Sequence, residues 1–257
     1  MVKSSPILIT IPGANRLMDI KDLKLRAEQG EPKAQIRLGE KYYFGESMTK
    51  DYAQATHWFR KAAEQGDAEG QFNLGWMYFN GKGLAEDDAQ AVHWFRKAAE
   101  QGHVEAQCNL GAYYLGKGCE QDYAQAAHCF PQAAHWFHKA AEQGDAAAQF
   151  SLGMMYRGYM AESENNKNDE QAAYWCLKAA EQNHAEAQDN LGSIYEEEGE
   201  YIAAHKWYSV VAAQGNDDRR EYLGLLEESM SHDEIVEAKK QADQWLRAHQ
   251  NIIKQES

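Results

Sequence analysis

The sequence predicts an all-α chain, an α/α solenoid of about six helical hairpins with capping helices at its ends. Three observations carry this expectation. The phrase KAAEQG stands at 61–66, 97–102 and 139–144, and returns as KAAEQN at 178–183. The alanines that mark this phrase or its variants, Ala27, Ala63, Ala99, Ala141, Ala180 and Ala212, fall 36, 36, 42, 39 and 32 residues apart, a period that signals stacked repeats. Within each period, apolar residues recur twice at helical spacing.

The unit at 67–102 serves as the type. In DAEGQFNLGWMYFN, residues Ala68, Gln71, Leu74 and Tyr78 lie three or four apart, with Gly75 beside Leu74 at the same spacing from Gln71 and Tyr78, a single stripe of a helix. After the polar turn GKGLAED, residues Ala91, Trp94, Phe95 and Ala98 make a second stripe. Asp51, Asp87, Asp122 and Asp169 precede the second helices, where a carboxylate accepts the free first-turn N–H groups. Lys61, Lys97, Lys139 and Lys178 lie near the C-termini, where the helix dipole favours a cation. The residue that closes each hairpin must take a positive φ, which glycine does freely and asparagine better than most, so Asn183 replaces what Gly66 supplies. Asp67, Asp145 or Asn216 then caps the next helix, and Pro32 suits a first helical position.

Successive hairpins are thus joined by about two residues and must stack, because no single one can bury its own stripe. A glycine recurs inside the first helices, at Gly39, Gly75, Gly111, Gly153, Gly192 and Gly224, at a cost of ~1 kcal/mol each against alanine. Trp58, Trp94, Trp136, Trp175 and Trp207 on the facing helices are expected to pack into that close approach. Residues 1–21 read as an extended or loosely ordered segment, with a short capping helix at about 19–29. A single repeat domain follows over 22–248, its units starting near 31, 67, 103, 145, 184 and 216, and 249–257 form a tail. Ser231 and Glu234 make a capping box, and Ala238, Ala242 and Trp245 continue the stripe in the closing helix.

The pattern A-x-x-Q-x-x-L-G-x-x-Y, then G-x-G, then D-Y-x-x-A-x-x-W-x-x-K-A resembles the Sel-one-like repeat family, bacterial relatives of tetratricopeptide repeats. It reads AEGQFNLGWMY, GKG and DDAQAVHWFRKA in the second unit, and AEAQCNLGAYY, GKG and DYAQAAH in the third. The resemblance covers residues 22–248 in about six copies. It implies a superhelical solenoid whose first helices line a concave surface, and a regulatory, virulence-related or similar role as adaptor or scaffold for other proteins. This chain departs from the pattern in places. QAAHCFPQAAHWF at 125–137 duplicates seven residues, almost two turns, so the apolar face keeps its bearing while Pro131 is expected to kink or split the helix. The loop RGYMAESENNKND at 157–169 is longer than its counterparts, and the fifth turn, EEEGEY, is shorter.

Net charge is −14, with 40 acidic and 26 basic side chains, so the summed field disfavours nucleic acid and anionic membranes. Residues 162–234 hold 18 acidic and 5 basic residues, a net of −13. No apolar run is long enough to span a membrane, and Cys108, Cys119, Cys129 and Cys176 show no regular pairing. A cytoplasmic monomer that binds a protein or peptide is expected, without cofactor, metal or catalytic residues.

Chemistry remains to be weighed against that expectation. GAYYLGKG at 111–118 imitates a phosphate loop but lacks the Ser or Thr and follows a helix. Ser47 and Lys50 have the S-x-x-K spacing of a β-lactamase-like hydrolase, yet fall in a turn. His128, His135 and His138 share a helical face able to ligate a metal, although His57 and His93 show that a histidine before the tryptophan belongs to the repeat. Glu196, Glu197 and Glu198 read as a solvated helix end. The alternatives kept open are such a hydrolase or metal-binding protein, and an acidic inhibitor or immunity-type protein that masks a basic effector.

The candidate partner-binding residues lie on the first helices, opposite the stripe that meets the second. They are Phe72, Asn73, Trp76 and Phe79, then Cys108, Asn109 and Ala112, then Phe150, Met154 and Arg157. Part of this set must pack against neighbouring first helices. The rest would form an apolar patch flanked by amides, the character of a protein-binding surface.

Overall fold

A computed structural model describes residues 20–116, 123–158 and 167–256, and every regular element among them is an α-helix. In chain order these are α1 Ile20–Glu28, α2 Pro32–Phe44, α3 Tyr52–Glu64, α4 Ala68–Asn80, α5 Asp88–Glu100, α6 Val104–Leu115, α7 Tyr123–Glu142, α8 Ala146–Gly158, α9 Lys167–Glu181, α10 Ala185–Glu197, α11 Tyr201–Ala213, α12 Asp217–Glu227 and α13 His232–Glu256. The chain divides into two compact units at Trp94/Phe95, inside α5. In the first, α1 packs on α2, α2 on α3 and α3 on α4; in the second, the same succession runs from α6 to α11, which then carries both α12 and α13.

The repeated phrase does what its chemistry requires. Gly66, Gly102 and Gly144 have φ of 87°, 91° and 94°, and Asn183 has φ 68°. Beyond each, a backbone N–H reaches back to close the helix, Asp67 N to Ala62 O at 3.2 Å and His184 N to Ala179 O at 3.2 Å. Asp67, Asp145 and Asn216 cap the next helices through Gly70, Ala148 and Arg219 N–H. Where the sequence has His103 and His184 instead, the imidazole Nδ1 accepts from Ala106 and Ala187 N–H at 3.4 and 3.3 Å, a role the residue type did not announce.

Four expectations need correction. Asp169 does not cap α9, which begins two residues earlier at Lys167 and places the carboxylate in its first turn, where the dipole still favours it. Pro131 does not split α7, which runs unbroken for 20 residues with the proline exposed inside it. The recurrent glycines do not face the tryptophans. A Cβ at Gly39 would meet the Phe59 ring at 2.6 Å, at Gly111 the Phe137 ring at 2.8 Å, at Gly153 Cys176 Sγ at 2.6 Å and at Gly192 the Tyr208 ring at 2.5 Å. The residue after each tryptophan fills the approach, because one step along a helix rotates the side chain by about 100°. The tryptophan is thereby turned toward the neighbouring hairpin: Trp58 is buried among Leu23, Ala27, Ala34 and Leu38, and Trp207 packs on Trp245 at 5.6 Å. Gly224 is the fourth correction, since nothing lies within 4 Å of its Cβ position. Asp122, the cap expected for α7, and most of the 157–169 loop lie outside the described residues.

A ladder of glutamines sets how each first helix sits. Gln35, Gln71, Gln149 and Gln188 are buried, and each side-chain amide donates to the carbonyl eight residues back, Ala27, Ala63, Ala141 and Ala180, at 3.0 to 3.4 Å. Gln107 does the same to Ala99. The glutamine of the closing phrase adds the next rung: Gln65 donates to Gln35 Oε1, Gln143 to Gln107, Gln182 to Gln149 and Gln214 to Gln188, all at 2.8 Å. In the last hairpin Arg220 replaces the buried glutamine and donates to Ala212 O at 3.2 Å. The two glutamines of each repeat thus satisfy the helix-end carbonyls that stacking buries.

The closing helix behaves as its sequence announces. Glu234 accepts from Ser231 N–H at 2.7 Å while Ser231 Oγ accepts from Glu234 N–H at 3.4 Å. Ala238, Ala242 and Trp245 are buried.

Candidate partner-binding surface

With one face of each first helix committed to its hairpin and the glutamine ladder fixing its ends, the outward row is what remains to meet a partner. On α4, in the first unit, Phe72, Asn73, Trp76 and Phe79 are all half-buried. Trp76 and Phe79 lie one turn apart, with ring centroids 6.3 Å apart and planes inclined by 32°. The Trp76 indole N–H is buried and has no acceptor among the described residues. Asn73 donates to Glu69 Oε1 at 3.4 Å, which holds its amide on the same face.

One repeat earlier, the register position of Trp76 is occupied by Glu40 on α2. Its carboxyl is pushed up to about 7, first by burial and then by the Glu69 carboxylate. Arg37 and Lys41 only partly oppose this, and Lys41 already faces Glu46 at 3.9 Å. Glu40 forms no hydrogen bond or ion pair among the described residues. A lone glutamate on a helix gives no sequence signal of burial.

In the second unit the row changes character. Asn109 on α6 donates from its amide nitrogen to Glu105 O at 2.8 Å, which leaves its carbonyl and one N–H to meet a ligand. Cys108 donates to Asp145 Oδ1 at 3.3 Å, and burial together with that carboxylate raises its pKa and holds it as an unreactive thiol. Ala112 is exposed. On α8, Phe150 packs on the His184 ring at 5.0 Å and Met154 is half-buried. Arg157 is already ion-paired with Glu197 on α10, so it is less available to a partner than its sequence position implies.

On α10 the equivalent positions are Asp189, Ser193 and Glu196, joined into a polar network with α11 and α12. Arg219 forms a two-pronged ion pair with Asp189, its second nitrogen at 2.8 Å, and lies 4.4 Å from the centre of the Tyr208 ring. Glu196 accepts from Tyr208 and Tyr222 hydroxyls at 2.9 and 2.6 Å. Burial is the main force pushing the Tyr208 hydroxyl up to about 12. Glu196 is therefore engaged rather than part of a solvated helix end, whereas Glu197, though paired with Arg157, is exposed at that end. Glu198 keeps that description, its carboxyl raised by burial and by Asp169, Glu200 and Glu170.

The enzyme-like motifs come to little. Ser47 sits in the α2–α3 turn at φ 63°, and Lys50 lies 5.5 Å over the Tyr52 ring, so the helical geometry the S-x-x-K motif needs does not form. His138 packs on Trp175 at 5.4 Å and pairs with Glu142 at 3.3 Å; His128 has its side chain outside the described residues. No metal-ligating group of three forms among the described residues, and no helix there is long and apolar enough to cross a membrane.

The Sel1 repeat profile matches residues 32–67, 68–103, 104–145, 146–184 and 185–216. This chain belongs to the Sel1 repeat family. The first helices and turns described above are the structural form of that repeat, and its five matched copies stop before the α12–α13 pair. Among solved structures, a Sel1 repeat protein from Oxalobacter formigenes is 32% identical, with a TM-score of 0.66 over 77% of this chain and 79% of that one. A protective antigen present in uropathogenic Escherichia coli strains, displaying an SLR fold, is 28% identical with a TM-score of 0.53, covering 88% of this chain and 56% of that one. The secretory immunoglobulin A-binding protein EsiB of Escherichia coli O6:H1 is 44% identical over 55 residues. That segment is 21% of this chain and 11% of the relative, so the chain spans a small part of its length.

Proposed function

We propose that this Sel1 repeat chain is a non-enzymatic adaptor that holds a protein or peptide partner on the outward rows of its first helices. The observation that carries the reading is the Trp76–Phe79 pair on α4, two half-buried rings one turn apart on the outward row. A large amphipathic ring at the edge of a packed surface is what a protein partner covers with most gain. Sel1 repeats mediate protein–protein interaction in general, and EsiB is by its printed name a binder of another protein. A cytoplasmic site of action is proposed because Cys108 and Cys176 are free thiols, and cell fractionation would check it.

The test is affinity capture from the native host followed by mass spectrometry, with Trp76→Ala and Phe150→Ala compared with the unaltered chain. Loss of the same captured protein in variants that retain full helical content supports the reading; capture unchanged in both variants refutes it. Metal analysis and labelling by a β-lactam probe are expected to be silent, and a signal in either would favour a metal-binding or hydrolase reading.

A second reading makes the partner a basic effector masked by the acidic C-terminal repeats. The uncompensated group of Glu198, Asp169, Glu200 and Glu170 favours it. Capture that resists high salt would count against it, since screening weakens charge-led association.

A further inference from the structure

Resting on the adaptor reading, we propose that the α2–α4 face of the first unit docks a cationic peptide segment, whose lysine or arginine pairs with Glu40 while a neighbouring residue meets the Trp76 indole.

A carboxylate without a partner and a half-buried aromatic pair occupy matching positions on adjacent first helices. Glu40 is a largely desolvated carboxylate with no hydrogen bond or ion pair among the described residues. Burying a charge without a partner is costly, and the group responds by holding its proton to about pH 7. Trp76, in the same register one repeat later, is half-buried, with its ring one turn from Phe79. A peptide segment can meet both at once, with a cationic side chain for the carboxylate and an apolar one for the indole. The indole and the adjacent Phe79 ring offer apolar surface to the residue between them.

Charge complementarity fixes the sign of the occupant. The charged groups that act on Glu40 are Glu69 on α4, Arg37 and Lys41 on α2 and Glu46 in the following turn. Lys41 is drawn toward Glu46, and the Glu69 and Glu46 carboxylates act on Glu40 against Arg37 and Lys41. An anionic or neutral segment would add to their repulsion or leave it in place. A cation relieves it.

The full chain is titrated into a fluorescein-labelled octapeptide of alternating leucine and arginine, and polarisation is read at pH 8 and pH 6. The counterpart with glutamate in place of arginine is titrated alongside. The arginine peptide is expected to bind and the glutamate peptide not to. Glu40→Gln is expected to weaken binding at least tenfold at pH 8, and Trp76→Ala at least fivefold. Glu64→Gln, which removes the same charge from the exposed end of α3, should stay within twofold. Affinity of the unaltered chain should fall several-fold from pH 8 to pH 6 as Glu40 takes up its proton, and this dependence should flatten in Glu40→Gln.

Equal losses in Glu40→Gln and Glu64→Gln would reduce the effect to general charge attraction and overturn the proposal. So would an arginine peptide that fails to bind, or that binds Glu40→Gln as tightly as the unaltered chain. If any of these occurred while Trp76→Ala still lost the captured protein, the adaptor reading would stand without this inference.

Discussion

Two glycines at the same repeat position should respond to alanine with opposite signs. At Gly192 an added Cβ would stand 2.5 and 2.6 Å from the Cε1 and Cδ1 atoms of Tyr208. That ring cannot swing aside, because its hydroxyl is held by Ser193 and Glu196 and the Arg219 guanidinium lies on its face. At Gly224 nothing lies within 4 Å of the Cβ position. Both changes gain about 1 kcal/mol of helix propensity. Gly192→Ala must also force apart a packed interface at about 1–3 kcal/mol or more, so it should end up less stable than the unaltered chain, and Gly224→Ala more stable by about 1 kcal/mol. Urea unfolding followed by circular dichroism reads both midpoints in the same background. A Gly192→Ala chain as stable as Gly224→Ala would refute the argument that close approach, rather than backbone freedom, explains the recurrent glycine.

Other consequences follow from the turns, the ladder and the isolated carboxylate. Asn183→Ala should be less stable than Asn183→Gly by about 1 kcal/mol in thermal melts, because alanine bears the left-handed backbone that glycine adopts freely. Gln149→Leu keeps the volume but strips the Ala141 carbonyl and the Gln182 amide of their partner, and should cost about 1–3 kcal/mol in urea midpoints. The Glu40 carboxyl titrates at about 7 in the folded chain against 4.5 unfolded, so its contribution is full at low pH and lost as pH rises between those values. Glu40→Gln should therefore gain on the unaltered chain by about 2 kcal/mol between pH 5 and pH 8, and a stability difference independent of pH would contradict the burial that raises it.

The fold was legible because backbone requirements recur visibly. A positive φ after each second helix demands Gly or Asn, and four near-identical phrases show it. Caps by Asp67, Asp145 and Asn216 were legible for the same reason, whereas His103 and His184 were not, since histidine seldom announces itself as a cap. Periodicity put Trp94 and Phe95 on one stripe of the type unit but could not say which of two consecutive residues fills a glycine gap, a matter of helix rotation that in the first unit selects Phe59 over Trp58. The glutamines lay in plain view within the repeat pattern, but their partners are backbone carbonyls, which sequence does not display. On the candidate surface, the aromatic row of α4 was legible from spacing. The engagement of Arg157 by Glu197 and the isolation of Glu40 depend on neighbours a repeat away.

The division of labour between the two sets of aromatic residues is tested most directly by the urea midpoints of Trp175→Ala and Trp76→Ala. Trp175 is 6% exposed within the stack of second helices, and its removal should cost about 3–5 kcal/mol, while Trp76 on the outward row should cost less than half as much. Equal losses would make Trp76 a core residue and take away the surface on which the proposed function rests.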